Sequence, residues 1–136
     1  MRIGGEILKK LIVFVTAILL LAGCTSNTHT YRHISDEWKI ALTVKQNASA
    51  TNDYLLEIKY IGDTLDLATE PDITYTLVTP QMTYDNTKAL SVVGTIKEDG
   101  LFTCTSCDIL QEQDDVTFTI EWDGKKETFP LSTNQQ

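Results

Sequence analysis

The residues most able to carry chemistry are two cysteines late in the chain, Cys104 and Cys107, in the stretch CTSC. Two thiols at this spacing can close a disulfide across a tight turn. The ends of a β-turn lie within about 7 Å of each other, and a disulfide spans about 4.4–6.8 Å between Cα atoms. So small a ring would stabilise the fold by about 2 kcal/mol on the loop-entropy model. A structural disulfide is therefore the first prediction for this pair.

Two other kinds of chemistry are alternatives for the same cysteines. A redox-active pair needs a lowered thiol pKa, which a helix N-terminus or a nearby cation provides. Here Asp108 adjoins the pair, and the nearest cation along the chain is Lys97. A tetrahedral zinc site needs two further ligands, and the only histidines, His29 and His33, stand far away in a polar segment. The sequence therefore favours the disulfide and predicts no metal site.

The elements that must position this pair read as β-strands, because apolar residues recur at every second position. The clearest run is VTFTIEW, which starts at Val116, and similar runs start at Trp38 and Tyr54. The pair Asp123-Gly124 predicts a two-residue hairpin, since a type I′ turn needs positive φ at both centres. A second hairpin is predicted at residues 98–100. The remaining strand candidates are residues 73–78, 90–97, 101–104 and 126–131.

About seven short strands, with no helical apolar stripe among them, predict one all-β domain at residues 38–131. An immunoglobulin-like two-sheet sandwich fits this pattern, and a small open β-barrel is the alternative. The connections at 46–53, 63–72 and 79–87 are polar, and the ends of a sandwich are where such domains bind ligands. Residues 24–37 read as a flexible polar tether, and residues 132–136 as a polar tail.

The start of the chain carries a different signal. An apolar run from Leu11 to Ala22 follows Lys9 and Lys10 and ends at small residues. It is too short to cross a bilayer, which needs roughly 20 apolar residues. A basic start, a short apolar run and a small-residue exit are typical of a secretory signal peptide.

The exit of this leader resembles the lipobox of bacterial lipoproteins. Leu21, Ala22, Gly23 and Cys24 match its Leu-Ala-Gly-Cys pattern at all four positions. The resemblance implies that signal peptidase II cleaves between Gly23 and Cys24, and that Cys24 carries fatty acyl chains. It places the protein on the extracytoplasmic face of the cell membrane, without residues 1–23. Two acyl chains on one residue give stable anchoring.

The rest of the chain is similar to a loose group of small, uncharacterised lipoproteins of low-GC Gram-positive bacteria. The likeness lies in the lipobox, in the CTSC stretch and in IEWDGKKETFPL at residues 120–131. The resemblance implies an envelope location and a β-sandwich, and it implies no activity.

The charge narrows the classes of function. Without residues 1–23 the chain keeps eight Lys or Arg against 18 Asp or Glu, a formal charge of −10. Nucleic acid and anionic lipid headgroups repel such a chain, so we expect no nucleic-acid partner and a domain that stands off the membrane. With both histidines in the predicted tether, we expect neither an enzyme nor a cofactor.

The main hypothesis is therefore a lipid-anchored binding or interaction module, whose partner is an envelope protein or a small ligand. The alternative is an extracytoplasmic thiol-redox or metal-binding protein that uses Cys104 and Cys107.

Overall fold

The computed structural model describes residues 3–21, 27–46, 51–101, 104–105 and 110–133. These residues contain one α-helix, nine strands and a single turn of 3-10 helix at Leu67–Thr69. None of the helices described has the length and hydropathy needed to cross a membrane. The elements are α1 (Ile3–Leu21), β1 (Asn27–Ile34), β2 (Trp38–Gln46), β3 (Thr51–Tyr60), β4 (Asp72–Val78), β5 (Thr83–Ala89), β6 (Thr95–Asp99), β7 (Cys104–Thr105), β8 (Val116–Trp122) and β9 (Lys125–Leu131).

The strands form two antiparallel sheets that pack face to face. Sheet A has the order β1-β2-β3-β6, with β7 also paired to β3, and sheet B has the order β5-β4-β8-β9. The predicted all-β sandwich of two sheets is confirmed. Its third strand stays in the first sheet, whereas the immunoglobulin pattern sends the third strand to the second sheet.

The core lies between the inner faces of the two sheets. Alternate residues of β2, β3 and β8 point into it, as their period of two predicts. Each such side chain contributes about 1.5–3 kcal/mol through its removal from water. The aromatic rings interlock: Trp38 meets Trp122 edge-on at 5.4 Å between centroids, and Phe118 meets Phe129 at 5.8 Å.

Strand β1 corrects the predicted tether. Residues 27–34 pair with β2 along their whole length, with Tyr31 directly opposite Leu42. Tyr31 is fully buried, and its hydroxyl donates a hydrogen bond to the Gln111 carbonyl at 2.5 Å. Because β1 is an edge strand with one large apolar side chain, its polar composition hides it from a pattern search. The prediction of a flexible segment at 24–37 is wrong for these residues.

Strand β5 corrects two further predictions. Residues 83–89 pair with β4, where a loop was predicted at 79–87. The strand predicted at 90–97 instead begins at Thr95, after a turn in which the Gly94 amide bonds to the Ser91 carbonyl at 2.8 Å. Strand β5 escapes prediction because it is an edge with one face exposed, and its sequence TYDNTKA is almost wholly polar.

The two predicted hairpins have different outcomes. Asp123 and Gly124 have φ of 46° and 74° between paired β8 and β9, so the type I′ turn is confirmed. The hairpin predicted at 98–100 is wrong. Strands β6 and β7 both pair antiparallel with β3, Asp99 opposite Leu55 and Cys104 opposite Asn52. The chain therefore continues along β3 with two extra residues between the paired segments.

The sandwich is joined along one side and open along the other. Backbone hydrogen bonds between Arg32 and Ser132, at 2.8 and 3.0 Å, connect β1 to the chain after β9. On the opposite side, β5 and β6 are the edges of different sheets. Side chains rather than backbone atoms bridge that open side.

Candidate functional site

Most of the residues predicted to carry chemistry are not available for a structural account. Gly23, Cys24 and Cys107 lie outside the described residues. Cys104 lies in β7, in register with Asn52 of β3. The disulfide and the acylation of Cys24 therefore stay predictions.

The two histidines belong to β1 and not to a tether. They face the interior, opposite Val44 and Ile40 of β2, and the His33 ring stacks on Phe129 at 4.2 Å. A strand rises about 3.3 Å per residue, so His29 and His33 stand about 13 Å apart and cannot bind one metal ion together. Among the described residues no group of His, Cys, Asp or Glu is arranged to hold a metal.

Of the three loops predicted to bind, one keeps that role in full. The connection at 63–72 lies at the end of the sandwich, beside the β8–β9 hairpin. The connection at 46–53 consists of strand ends around residues 47–50, which lie outside the described residues. Most of the connection at 79–87 is strand β5.

The loop between β3 and β4 and the β8–β9 hairpin together form what we call the Trp122 cleft. It has two adjoining parts, with cavity volumes of about 280 and 360 Å³. Both parts share Asp72, Trp122 and Asp123. The first part is also lined by Thr64, Leu65, Asp66, Thr69, Pro71 and Ile73. The second is also lined by Thr74, Glu121, Gly124, Lys125 and Lys126.

The buried hydroxyl of Tyr60 holds the loop wall of the cleft in place. It accepts hydrogen bonds from the backbone amides of Thr64 and Leu65, at 2.8 and 3.0 Å. A few residues on, the Asp66 carboxylate accepts from the Ala68 amide at 3.1 Å and caps the 3-10 turn. Backbone amides that would otherwise need water are thus satisfied within the loop.

Gly62→Ala is expected to disturb this wall. An added Cβ would lie 2.6 Å from the Tyr60 hydroxyl oxygen and 2.8 Å from its ring carbon. Since Tyr60 is buried and hydrogen-bonded, it cannot move cheaply, and we expect a loss of about 1–3 kcal/mol in unfolding free energy. Urea denaturation followed by tryptophan fluorescence measures it. The Gly62→Ala/Tyr60→Phe double variant should lose less than the sum of the two single variants. Strict additivity would contradict the clash.

The cleft is polar and mainly acidic, with an indole as its apolar element. Trp122 is 3% exposed, and its Nε1 hydrogen-bond donor has no partner among the described residues. The Lys125 ammonium lies 6.0 Å from the Trp122 ring centroid and 4.0 Å from a Glu37 oxygen. Four carboxylates line the two parts, those of Asp66, Asp72, Glu121 and Asp123, against two lysines.

A second polar cluster, centred on Glu98, closes the open side of the sandwich. Glu98 is 7% exposed and points inward from β6. Lys88 forms an ion pair with it at 2.7 Å, Asn86 donates to it at 3.2 Å, and the Tyr84 hydroxyl donates to it as well. All three partners are on β5, so this one carboxylate connects the two sheets. Sequence reasoning placed Glu98 in a turn, although it has the same parity as the buried Ile96.

Burial raises the pKa of Glu98, but the hydrogen bonds from Lys88 and Tyr84 outweigh it and hold the pKa below its ordinary value. Burial and the same carboxylate raise the pKa of Tyr84 and of the nearby Tyr75. The cluster therefore keeps an ionised carboxylate among protonated hydroxyls. That arrangement stabilises the fold and offers no group poised to transfer a proton near neutral pH.

The fold and the cleft define the class of protein: an all-β two-sheet sandwich with a polar cleft at one end. No protein-family model, curated protein or solved structure matches the chain. Its function is therefore argued from its own residues.

Proposed function

We propose that the protein is an extracytoplasmic lipoprotein, anchored to the cell membrane through acyl chains on Cys24, and that it binds a ligand in the Trp122 cleft without catalysis. The observation that carries the binding role is the cleft itself. Loop 61–71 and the β8–β9 hairpin meet around one indole whose N–H is free to donate. Clefts with an apolar floor and a few polar groups are the usual form of a small-ligand site.

The lining indicates the chemistry of the ligand. The indole N–H calls for a hydrogen-bond acceptor, and the excess of carboxylates favours donors or a positive charge. Among the described lining residues there is no histidine or cysteine, which supports a role in binding rather than in nucleophilic or acid–base catalysis. A small polar molecule or a peptide segment with a cationic group fits both requirements.

Native mass spectrometry of the full-length protein, extracted from membranes in mild detergent, tests the proposal. We expect acyl mass on Cys24 and a separate, non-covalent mass that is lost in the Asp72→Asn and Trp122→Phe variants. Thr119→Val is the matched control, because Thr119 is on the outer face of β8 away from the cleft. The same non-covalent mass in all four proteins would overturn the cleft, and no acyl mass at Cys24 would overturn the anchor.

Intact mass before and after reduction and alkylation separates this proposal from the thiol alternative. A disulfide between Cys104 and Cys107 gives one oxidised form that reduction converts to two alkylated thiols. If the Cys104→Ser/Cys107→Ser variant keeps its melting temperature while cells lose a redox or metal phenotype, the thiol function is correct instead.

A further inference from the structure

The positive charges of this acidic protein are gathered on one surface, the outer face of sheet A. Five of the eight Lys and Arg that follow Cys24 lie there. The strand registers place them, because residues of outward parity on β1, β2, β3 and β6 align across the sheet. We call this surface the basic face. Its cations are Arg32, Lys39, Lys45, Lys59 and Lys97, all of them exposed.

Most of these cations are not neutralised by neighbours. Lys39 and Lys59 stand directly opposite each other on β2 and β3, a like-charge pairing that destabilises a sheet. In the part of the chain that the structure describes, neither lysine has an ion pair, and Arg32 has none either. Only Lys97 has a partner, Glu57 at 3.8 Å. A pairing that costs stability and has no internal compensation indicates an external partner with negative charge.

The position of the basic face relative to the anchor identifies that partner. Strand β1 is the edge of sheet A and begins at Asn27, three residues after Cys24. Three residues reach at most about 10 Å, so a lipidated Cys24 holds this sheet next to the bilayer. From Asn27 to Arg32 the strand advances about 17 Å. The anchor and the cations therefore lie toward opposite ends of one flat face.

We propose that the basic face lies flat on the anionic phospholipid headgroups of the membrane, with β1 along the surface. This inference rests on the proposed anchor at Cys24. The total charge of −10 does not prevent it, because stacked sheets are about 10 Å apart and the Debye length is about 8 Å at physiological ionic strength. The carboxylates of sheet B and the cleft are screened from the headgroups. The Trp122 cleft then stays open to the side away from the bilayer.

Lysine labelling of the lipidated protein on vesicles tests this orientation. The full-length protein, purified from membranes, is inserted into vesicles of phosphatidylcholine alone or of equal parts phosphatidylcholine and phosphatidylglycerol. Both are treated with an amine-acetylating reagent and analysed by peptide mass spectrometry. Each cation near an anionic bilayer strengthens association about five-fold. We therefore expect acetylation of Lys39, Lys59 and Lys97 to slow by at least about five-fold on the anionic vesicles, and less in high salt.

Lys125 and Lys126, at the cleft, are the internal control and should react equally on both kinds of vesicle. Equal rates for all lysines on both vesicles would overturn the proposal, provided that the protein floats with the vesicles. Failure to float would instead count against the anchor. Protection by soluble polyglycerol phosphate, without protection by anionic vesicles, would also overturn it and assign the face to an anionic polymer.

A charge-reversed variant gives an independent test. Lys39→Glu/Lys59→Glu removes the like-charge pair at exposed positions, and it should lose the protection of Lys97 on anionic vesicles. The matched control, Lys125→Glu/Lys126→Glu, should keep it. Thermal melting of both variants shows whether they fold, and loss of protection in the control alone would contradict the proposed face.

Discussion

Tyr31→Ala is expected to lower the free energy of unfolding by about 3–5 kcal/mol, the cost of deleting a buried aromatic side chain. Tyr31 is fully buried between the sheets, and its hydroxyl ties β1 to Gln111 ahead of β8. If residues 27–34 were a tether, the same change would be neutral. Urea denaturation of residues 25–136, followed by the fluorescence of the two tryptophans, measures the difference.

Two variants separate the ring of Tyr31 from its hydroxyl and from its strand. Tyr31→Phe keeps the packing and loses one hydrogen bond, for a loss of about 0.5–1.5 kcal/mol. Thr28→Ala, at an exposed position of the same strand, should change stability by less than about 0.5 kcal/mol. A neutral Tyr31→Ala would contradict the place of β1 in the core.

The titration of Tyr31 adds a pH signature. Burial, with Asp114 nearby, raises its pKa from 10.0 to about 12. The folded state therefore keeps a proton that the unfolded chain releases, so the stability is complete below pH 10 and falls as the pH rises from 10 to about 12. Tyr31→Phe should remove that part of the alkaline loss.

Glu98→Ala is expected to cost about 3 kcal/mol, the low end of the range for breaking a buried ion pair. The carboxylate accepts from Lys88, Tyr84 and Asn86, and these contacts bridge the only open side of the sandwich seen in the described residues. The cost stays at the low end because Lys88 is 49% exposed and can return to water. Glu57→Ala is the control: its pair with Lys97 is exposed and should contribute less than about 1 kcal/mol.

The lowered pKa of Glu98 makes this contribution depend on acidity. A carboxyl whose pKa is lower in the folded state stabilises the fold above its unfolded pKa, here 4.5. That stability is lost as the pH falls through the lower folded value. The native protein should therefore lose stability below about pH 4.5 more steeply than Glu98→Gln. Parallel curves of unfolding free energy against pH for the two proteins would contradict the paired carboxylate.

The features that the sequence could predict are those with a local physical cause. Strands β2, β3 and β8 each bury one apolar face, so their period of two is visible within a few residues. The Asp123-Gly124 turn is equally local, because positive φ at both centres requires those residue types. From these features the all-β class and the two-sheet sandwich follow, together with the loop that becomes one wall of the Trp122 cleft.

Other features depend on contacts between distant parts of the chain. Strands β1 and β5 are polar edge strands whose backbone groups pair with β2 and β4, and no local pattern records that pairing. Glu98 is buried only because β5 supplies Lys88, Tyr84 and Asn86 across the gap between the sheets. The clustering of cations on sheet A likewise needs the registers of four strands.

The sequence by itself thus determined which segments have one apolar face and where the chain turns sharply, because both depend on neighbouring residues. The tertiary structure alone decided which polar segments become strands, which carboxylate is buried and which charges share a surface. Those outcomes depend on backbone pairing and desolvation between residues far apart in sequence, and an overall charge of −10 contains no information about where the charges lie.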